Sequence, residues 1–353
     1  MKVLMVGPGA VGQVLGLHLR RAGVEPAFYA RPRSAERLRR ALKSGGLPVT
    51  ATSHRHRRRP VEHRLDGYAV VTDIAESRRF APDQIWFATP STVFTTDWFR
   101  EFLAAVPAEQ IILFAPEGNR RELALPDAVR ERTVFGGITF TAWQGDLGDG
   151  GGRPGGVTYW MPPGASIPLM GEGAAVQGVA QVMAAGGLRA VAKGPEFQAM
   201  QGATTALLSA LAVGLEQSAW SFKRLRRGQW LAGVAQCAQE AIATQLVRPG
   251  AITRGLLRIA LSPAILYAAS LVLPRFTPFD LERYMQFHYT KTRDQTMALL
   301  DLFIRDGVAR GLPVEGVRAM REAARSQMAV QQGGQQTRPD SLLDTGTATS
   351  YHE

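Results

Sequence analysis

The chain has 353 residues, 45% of them hydrophobic and 20% charged, with a formal net charge of +11 at pH 7. That length accommodates two domains with cores of their own, and the balance excludes a disordered or fibrous protein. The one cysteine, Cys237, excludes an intramolecular disulfide framework and fits a reducing, cytoplasmic setting. The excess positive charge favours anionic partners, a nucleotide among them.

The chain opens on an apolar run, Val3 to Val6, the pattern of a buried parallel strand. Gly7, Gly9 and Gly12 follow as G-x-G-x-x-G, and Val11, Val14, Leu15 and Leu19 recur at helical spacing up to Gly23. A second strand covers Ala27 to Ala30. Strand, glycine turn, helix and strand form the context that the dinucleotide fingerprint requires. Gly7 serves the tight turn, Gly9 the approach of a pyrophosphate, and Gly12 the packing of helix on strand. The helix start, Ala10 and Val11, offers unpaired N–H groups and a positive dipole end to the phosphates. Met1 to Leu19 is not a signal peptide, because Pro8 and the glycines interrupt its apolar run.

An NAD site usually carries an acidic residue about 20 positions after the glycines. Here the second strand ends Tyr29-Ala30-Arg31-Pro32-Arg33, without one. A forked guanidinium at Arg31 pairs with a 2′-phosphate, which selects NADPH, with Arg33 as a helper. The plain alternative is a pair of solvated loop arginines.

An Arg-rich helix covers Ala35 to Leu42, and residues 50–75 read as an irregular excursion with short strands such as Ala69 to Val71. Within it, the run His54 to Arg59 is basic but lacks interleaved aromatics and zinc-ligand spacing. It reads as a solvated loop, with no nucleic-acid partner. Strands follow at Ile85–Ala88, Ile111–Phe114, Val134–Thr141 and Val157–Trp160, with a helix at Asp97–Ala105. A glycine-rich turn after Asp146 joins the strands Ile138–Trp143 and Val157–Trp160. Alternating strands and helices imply a parallel α/β sheet whose ligands sit beyond the strands' carboxyl ends. Thr89, Ser91, Glu117 and Asn119 occupy those ends. Thr89 and Ser91 are cofactor-binding candidates; Glu117 and Asn119 are catalytic candidates, Glu117 as a substrate hydrogen-bonding group or acid.

From about Glu196 the strand signals fade and apolar helices dominate: Phe197–Glu216, Leu231–Leu246 and Phe279–Gly311. The organisation read from this is a Rossmann domain over 1–190, an all-helical domain over 191–327 and a disordered tail over 328–353. Leu256 to Leu273 is almost continuously apolar, but Arg258 and Pro263 interrupt it and it is barely long enough to span a bilayer. A buried core helix, or a surface packed on a partner subunit in a homodimer, fits it better than a membrane span.

The sequence resembles the ketopantoate reductase family (2-dehydropantoate 2-reductases). The resemblance rests on KVLMVGPGAVGQVLGLHLRRAG with Arg31 beyond it, on FGGITFTA at 135–142, on PGGVTYW at 154–160 and on RDGVARGLPV at 305–314. It implies a Rossmann domain, then a helical domain like that of 6-phosphogluconate dehydrogenase, with the active site between them. It also implies hydride transfer from NADPH to a small 2-keto acid. The family's catalytic positions depart here. Pro116-Glu117-Gly118 replaces a Gln-Asn-Gly turn. In the matched register Ala199 replaces the catalytic lysine and Ala203 the asparagine four residues on. Gln295 replaces a substrate-holding glutamate, and Thr89-Pro90-Ser91 stands where a further lysine is found.

Two classes of function remain. One is an NADPH-dependent reductase of a carbonyl or imine compound other than ketopantoate. The other is a non-catalytic NADPH-binding regulatory protein. A true 2-dehydropantoate 2-reductase with shifted catalytic residues is a third reading. An active enzyme needs a cation or proton donor at the reduced centre. His288, Lys291 and Gln295 recur at spacings of three and four in a predicted helix and share one face. Lys291 is the candidate donor, with His288 as neighbour and relay; the plain alternative is a solvated polar stripe. No metal-ligand pattern occurs.

Overall fold

The structure is a computed structural model and describes residues 1–53, 60–115, 123, 125–145, 147, 156–244 and 250–336. The apolar runs become β1 (Lys2–Val6), α1 (Ala10–Arg21), β2 (Glu25–Tyr29), α2 (Pro32–Lys43), β3 (Leu47–Thr52), β4 (Val61–Leu65), β5 (Ala69–Val71), α3 (Ile74–Phe80) and β6 (Gln84–Phe87). After a 3-10 turn at Ser91–Thr95 come α4 (Asp97–Ala105), β7 (Gln110–Phe114), α5 (Asp127–Arg130), β8 (Thr133–Gly136), β9 (Thr141–Gln144), β10 (Val157–Trp160), β11 (Ile167–Met170), α6 (Gly173–Ala185) and β12 (Ala190–Ala192).

Eight strands form one sheet in the order β12-β11-β8-β7-β6-β1-β2-β5. From β8 to β5 every neighbouring pair is parallel. Renumbered among themselves, those six strands run 3-2-1-4-5-6, the doubly wound order that binds dinucleotides. The order reverses between β1 and β6, so a crevice lies beyond Val6 and Phe87. Side chains on the two faces feed two cores, one holding Met5, Leu15 and Phe28, the other Leu4, Ile85 and Phe102.

Residues 50–75 are more regular than expected. β3 and β4 pair antiparallel, β3 pairs parallel with β10, and β10 pairs antiparallel with β9. This second sheet was obscured because β3 finds β10 only about a hundred positions later, so no local pattern marks it. It packs on α1, where the Tyr159 hydroxyl lies 3.4 Å from His18 Nε2. The two strands expected across 134–143 are shorter: β8 stops at Gly136, and residues 137–140 form an irregular connection before β9 begins, with the Gly137 N–H donating to the Pro168 carbonyl oxygen at 2.9 Å.

The rest is helical: α7 (Pro195–Gln217), α8 (Phe222–Arg227), α9 (Trp230–Ala243), α10 (Ala251–Ala260), α11 (Pro263–Phe276), α12 (Leu281–Lys291), α13 (Arg293–Ala309) and α14 (Glu315–Gln336). Leu215, Val234, Cys237, Leu300 and Val317 centre their common core. Gly214 lets α7 approach α9, since a Cβ there would lie 2.5 Å from Val234 Cγ2. Two expectations change. Residues 328–336, assigned to a disordered tail, continue α14, a helix already nucleated upstream, even though Gly333 and Gly334 are poor helix formers. The apolar run 256–273 is not a buried core helix. It breaks at Ser262, whose hydroxyl caps α11, and most of its large side chains are exposed. Among the described residues no single helix is long and apolar enough to cross a membrane.

Candidate active site

The glycine turn divides its labour as its spacing requires. Gly7 has φ of +105°, and a Cβ there would lie 2.6 Å from the Ala88 carbonyl oxygen. A Cβ on Gly12 would lie 2.1 Å from the Gly7 carbonyl oxygen, so the helix can approach the turn only without one. Gly9 is different: a Cβ there would meet no protein atom within 4 Å. Its missing side chain leaves room beside the N-terminus of α1, where unpaired N–H groups and the helix dipole attract phosphate.

A cavity of about 670 Å³ extends from Gly7, Gly9, Ala10 and Val11, past Ala88 and Thr89, to α7, α12 and α13. Thr89 Oγ1 is buried and has no hydrogen-bond partner among the described residues. A buried hydroxyl in that state is completed by water or by a polar ligand. The open space at Gly9 and the unsatisfied Thr89 together fit a dinucleotide whose pyrophosphate lies over the turn and whose far end reaches β6. Arg31 stands just past β2, at the N-cap of α2, exposed and outside the cavity lining. It has no ion-pair partner among the described residues, and neither has Arg33. Ala115, just past β7 on the cavity wall, holds φ of +46°, a left-handed conformation that costs a non-glycine residue energy. Glu117 and Asn119, the two catalytic candidates that follow it, lie outside the described residues, as does the basic run 54–59.

The helical side of the cavity departs from the expected register. Ala203 is buried in the helical core and does not line the cavity. The lining residues of α7 include Phe197, Gln201, Thr204, Thr205 and Leu208, none of them charged. Gln201 and Thr205, four apart, thus occupy the face that Ala199 and Ala203 were expected to form. Ala199 is on α7, but its side chain is outside the described set. Gly137 explains how α7 comes so close: a Cβ there would lie 2.4 Å from Gln201 Nε2. The sequence signal for this contact was the paired glycines of FGGITFTA, whose partner could not be read locally.

His288, Lys291 and Gln295 all line the cavity, but not from one helix face. The helix expected to run through them breaks at Thr292, whose hydroxyl bonds the His288 carbonyl oxygen at 3.0 Å. Lys291 ends α12 and is exposed at the rim; Gln295 begins α13. Gln295 Nε2 donates to Ser91 Oγ at 3.1 Å, joining α13 to the turn after β6. Ser91 thus meets a protein side chain from the helical half. His288 stacks on Tyr284, with ring centroids 5.5 Å apart, and meets Tyr289 edge-on. Burial, and then the charge of Lys291, lower its pKa to about 4. The imidazole is therefore neutral near pH 7. No group of His, Cys, Asp and Glu among the described residues is arranged to hold a metal.

The profile of the family ketopantoate reductase PanE/ApbA matches residues 3–147. No curated protein sequence matches the chain. Among solved structures, a PanE/ApbA family ketopantoate reductase from Ralstonia eutropha is 19% identical with a TM-score of 0.62, over 94% of this chain and 100% of its own. The 2-dehydropantoate 2-reductase of Geobacter metallireducens is 14% identical with a TM-score of 0.65, over 92% of this chain and 99% of its own. D-mandelate dehydrogenase in a ternary structure with NADH and anilino(oxo)acetate is 16% identical, TM-score 0.64, over 94% and 99%. At these identities the structures establish the fold: an α/β domain with a mostly parallel sheet followed by helices, as in ketopantoate reductases.

Proposed function

We propose that this ketopantoate reductase-like chain is an NADPH-dependent oxidoreductase that reduces a carbonyl or imine compound other than ketopantoate. The observation that carries the reading is the single cavity joining the open space at Gly9 to Lys291. Bound NADPH would supply the hydride. The chain's own groups do the rest. The α1 N-terminus and Gly9 hold the pyrophosphate, and Thr89 Oγ1 bonds the ligand's nicotinamide end. Arg31 pairs with the 2′-phosphate. Lys291 approaches the atom that gains negative charge and stabilises or protonates it. Neutral His288 packs beside it and fixes that end of α12.

Ketopantoate itself is a poor match. A small keto acid needs a cation for its carboxylate besides one at its carbonyl, and Lys291 is the one Lys or Arg among the described lining residues. Phe197, Leu208, Leu299 and Phe303 instead make much of the wall apolar, which favours a larger and less acidic substrate. The test is NADPH consumption against a panel of ketones, 2-keto acids and cyclic imines. Turnover of a neutral carbonyl or imine, with little on ketopantoate, is the expected result. Saturable NADPH binding with no turnover on any compound would favour a regulatory binding protein.

A further inference from the structure

Nine of the fourteen large apolar side chains exposed among the described residues fall between Ile252 and Phe276, on α10 and α11. On α10, Ile252, Leu256 and Ile259 are 83%, 62% and 63% exposed. Their spacing of four and three puts them in one stripe. Arg254 and Arg258 fall on the opposite side of the same helix. The stripe points away from the protein, because Leu257 and Leu261 make the contact with the helical core. On α11, Ile265, Val272 and Phe276 continue the apolar surface at helical spacing. The two helices meet at a bend of 62°.

The charge around this surface is one-sided. Residues 217–279 hold eight Lys or Arg and a single acidic residue, Glu240, and carry most of the chain's net +11; Asp280 and Glu282 follow directly, Glu282 accepting from the Phe222 N–H at the start of α8 at 2.7 Å. Glu240 is occupied by the Val317 backbone N–H on α14. α8, with exposed Lys223, Arg224 and Arg227, is fixed against α11 by Arg226 Nη1 donating to the Ser270 carbonyl oxygen at 2.9 Å.

We infer that α10 and α11 form a docking surface for an anionic lipid bilayer, lying in its interfacial plane. An amphipathic helix with an outward apolar stripe and arginines on its polar side has the composition of an interfacial helix. Ten and fourteen residues give helices of about 15 and 21 Å, each too short alone to cross a hydrocarbon core of about 30 Å, and the 62° bend keeps the two from forming one straight span. A second copy of this chain fits the same surface poorly. A two-fold contact sets the same patch against itself and brings arginine clusters together with few acidic groups to meet them, Glu282 and Glu240 both being taken up by backbone N–H groups. Anionic headgroups supply that missing charge.

The test is flotation of the full chain with unilamellar vesicles of phosphatidylcholine, with and without phosphatidylserine, at low and high salt. Binding is expected to the phosphatidylserine vesicles and to weaken as salt rises. Ile252→Asp with Ile259→Asp should weaken it at least tenfold, with the thermal melting point unchanged because both side chains are exposed. Arg254→Glu with Arg258→Glu should remove the preference for phosphatidylserine. Absence of binding to either vesicle, or binding that neither pair of substitutions weakens, overturns the inference. So does a native dimer in sedimentation that the Ile252→Asp, Ile259→Asp protein loses, which assigns the face to a second copy.

Discussion

Single residues carry the sharpest expectations. Gly9→Val fills the space reserved for a pyrophosphate yet clashes with nothing, so the folded protein should lose NADPH binding while its melting point holds. Calorimetric titration checks this, and unchanged affinity would remove the basis of the nucleotide reading. Arg31→Asp exchanges a charge-assisted hydrogen bond for repulsion. At about 1.5–3 kcal/mol, NADPH should weaken by one to two orders of magnitude while NADH changes little. A native protein that binds NADH as tightly as NADPH would argue against Arg31. Lys291→Met should lower turnover by roughly 10²-fold or more and leave NADPH affinity alone, the scale of a lost proton donor. Native-rate turnover in that protein would end the assignment. His18 gives a pH prediction. Burial lowers its pKa to about 4 from 6.5, against the pull of its 2.7 Å contact with the Gly186 carbonyl oxygen. The unfolded chain takes up the proton first, so stability is complete above about pH 6.5 and declines as pH falls towards 4. The loss should reach up to about 3 kcal/mol. Melting curves at pH 7 and 4.5 should show it, with a shallower slope in His18→Gln.

At the scale of elements, what was legible was local. β1, the glycine turn and α1 announce themselves because strand period, turn chemistry and helix period adjoin one another within twenty residues. The same holds for the parallel sheet, which follows from alternating strands and helices, whereas its strand order is set by long-range pairing. The second sheet was not legible, because its strands find partners far along the chain. Nor was the end of α12, where one threonine turns back on the preceding helix and parts Lys291 from Gln295. A helical period cannot reveal a break that costs so few residues. Nor could it choose between a face through Ala203 and one through Gln201, both of which are plausible stripes on a helix as apolar as α7. Packing decides, through Gly137 and Pro168 on one side and α9 on the other. β9 shows what such long-range packing is worth. Trp143 is 2% exposed and packs on Phe279 at 4.8 Å and Tyr284 at 6.0 Å. Trp143→Ala should cost about 3–5 kcal/mol, read in denaturant melts, and loosen the hold of α12 on the sheet.

Across the whole molecule, two cores meet at contacts of unequal strength. Trp143 with Phe279 and Tyr284, reinforced by Arg283 donating to the Leu147 carbonyl oxygen at 2.7 Å, forms a dry aromatic junction. Gln295 and Ser91 form a single neutral hydrogen bond, worth about 0.5–1.5 kcal/mol and readily exchanged for water. We propose that the first contact acts as a pivot and the second as a catch, an inequality that would set a kinetic order. The proposed nucleotide berth, at the turn after β1, is lined by the α/β half, whereas the space beyond it is also lined by α7, α12 and α13. If NADPH binds as proposed, it should enter first and NADP should leave last, with product inhibition competitive between the two nucleotides only. Ser91→Ala removes the catch without touching the pivot: the melting point should move little, while release, followed by stopped flow, should quicken.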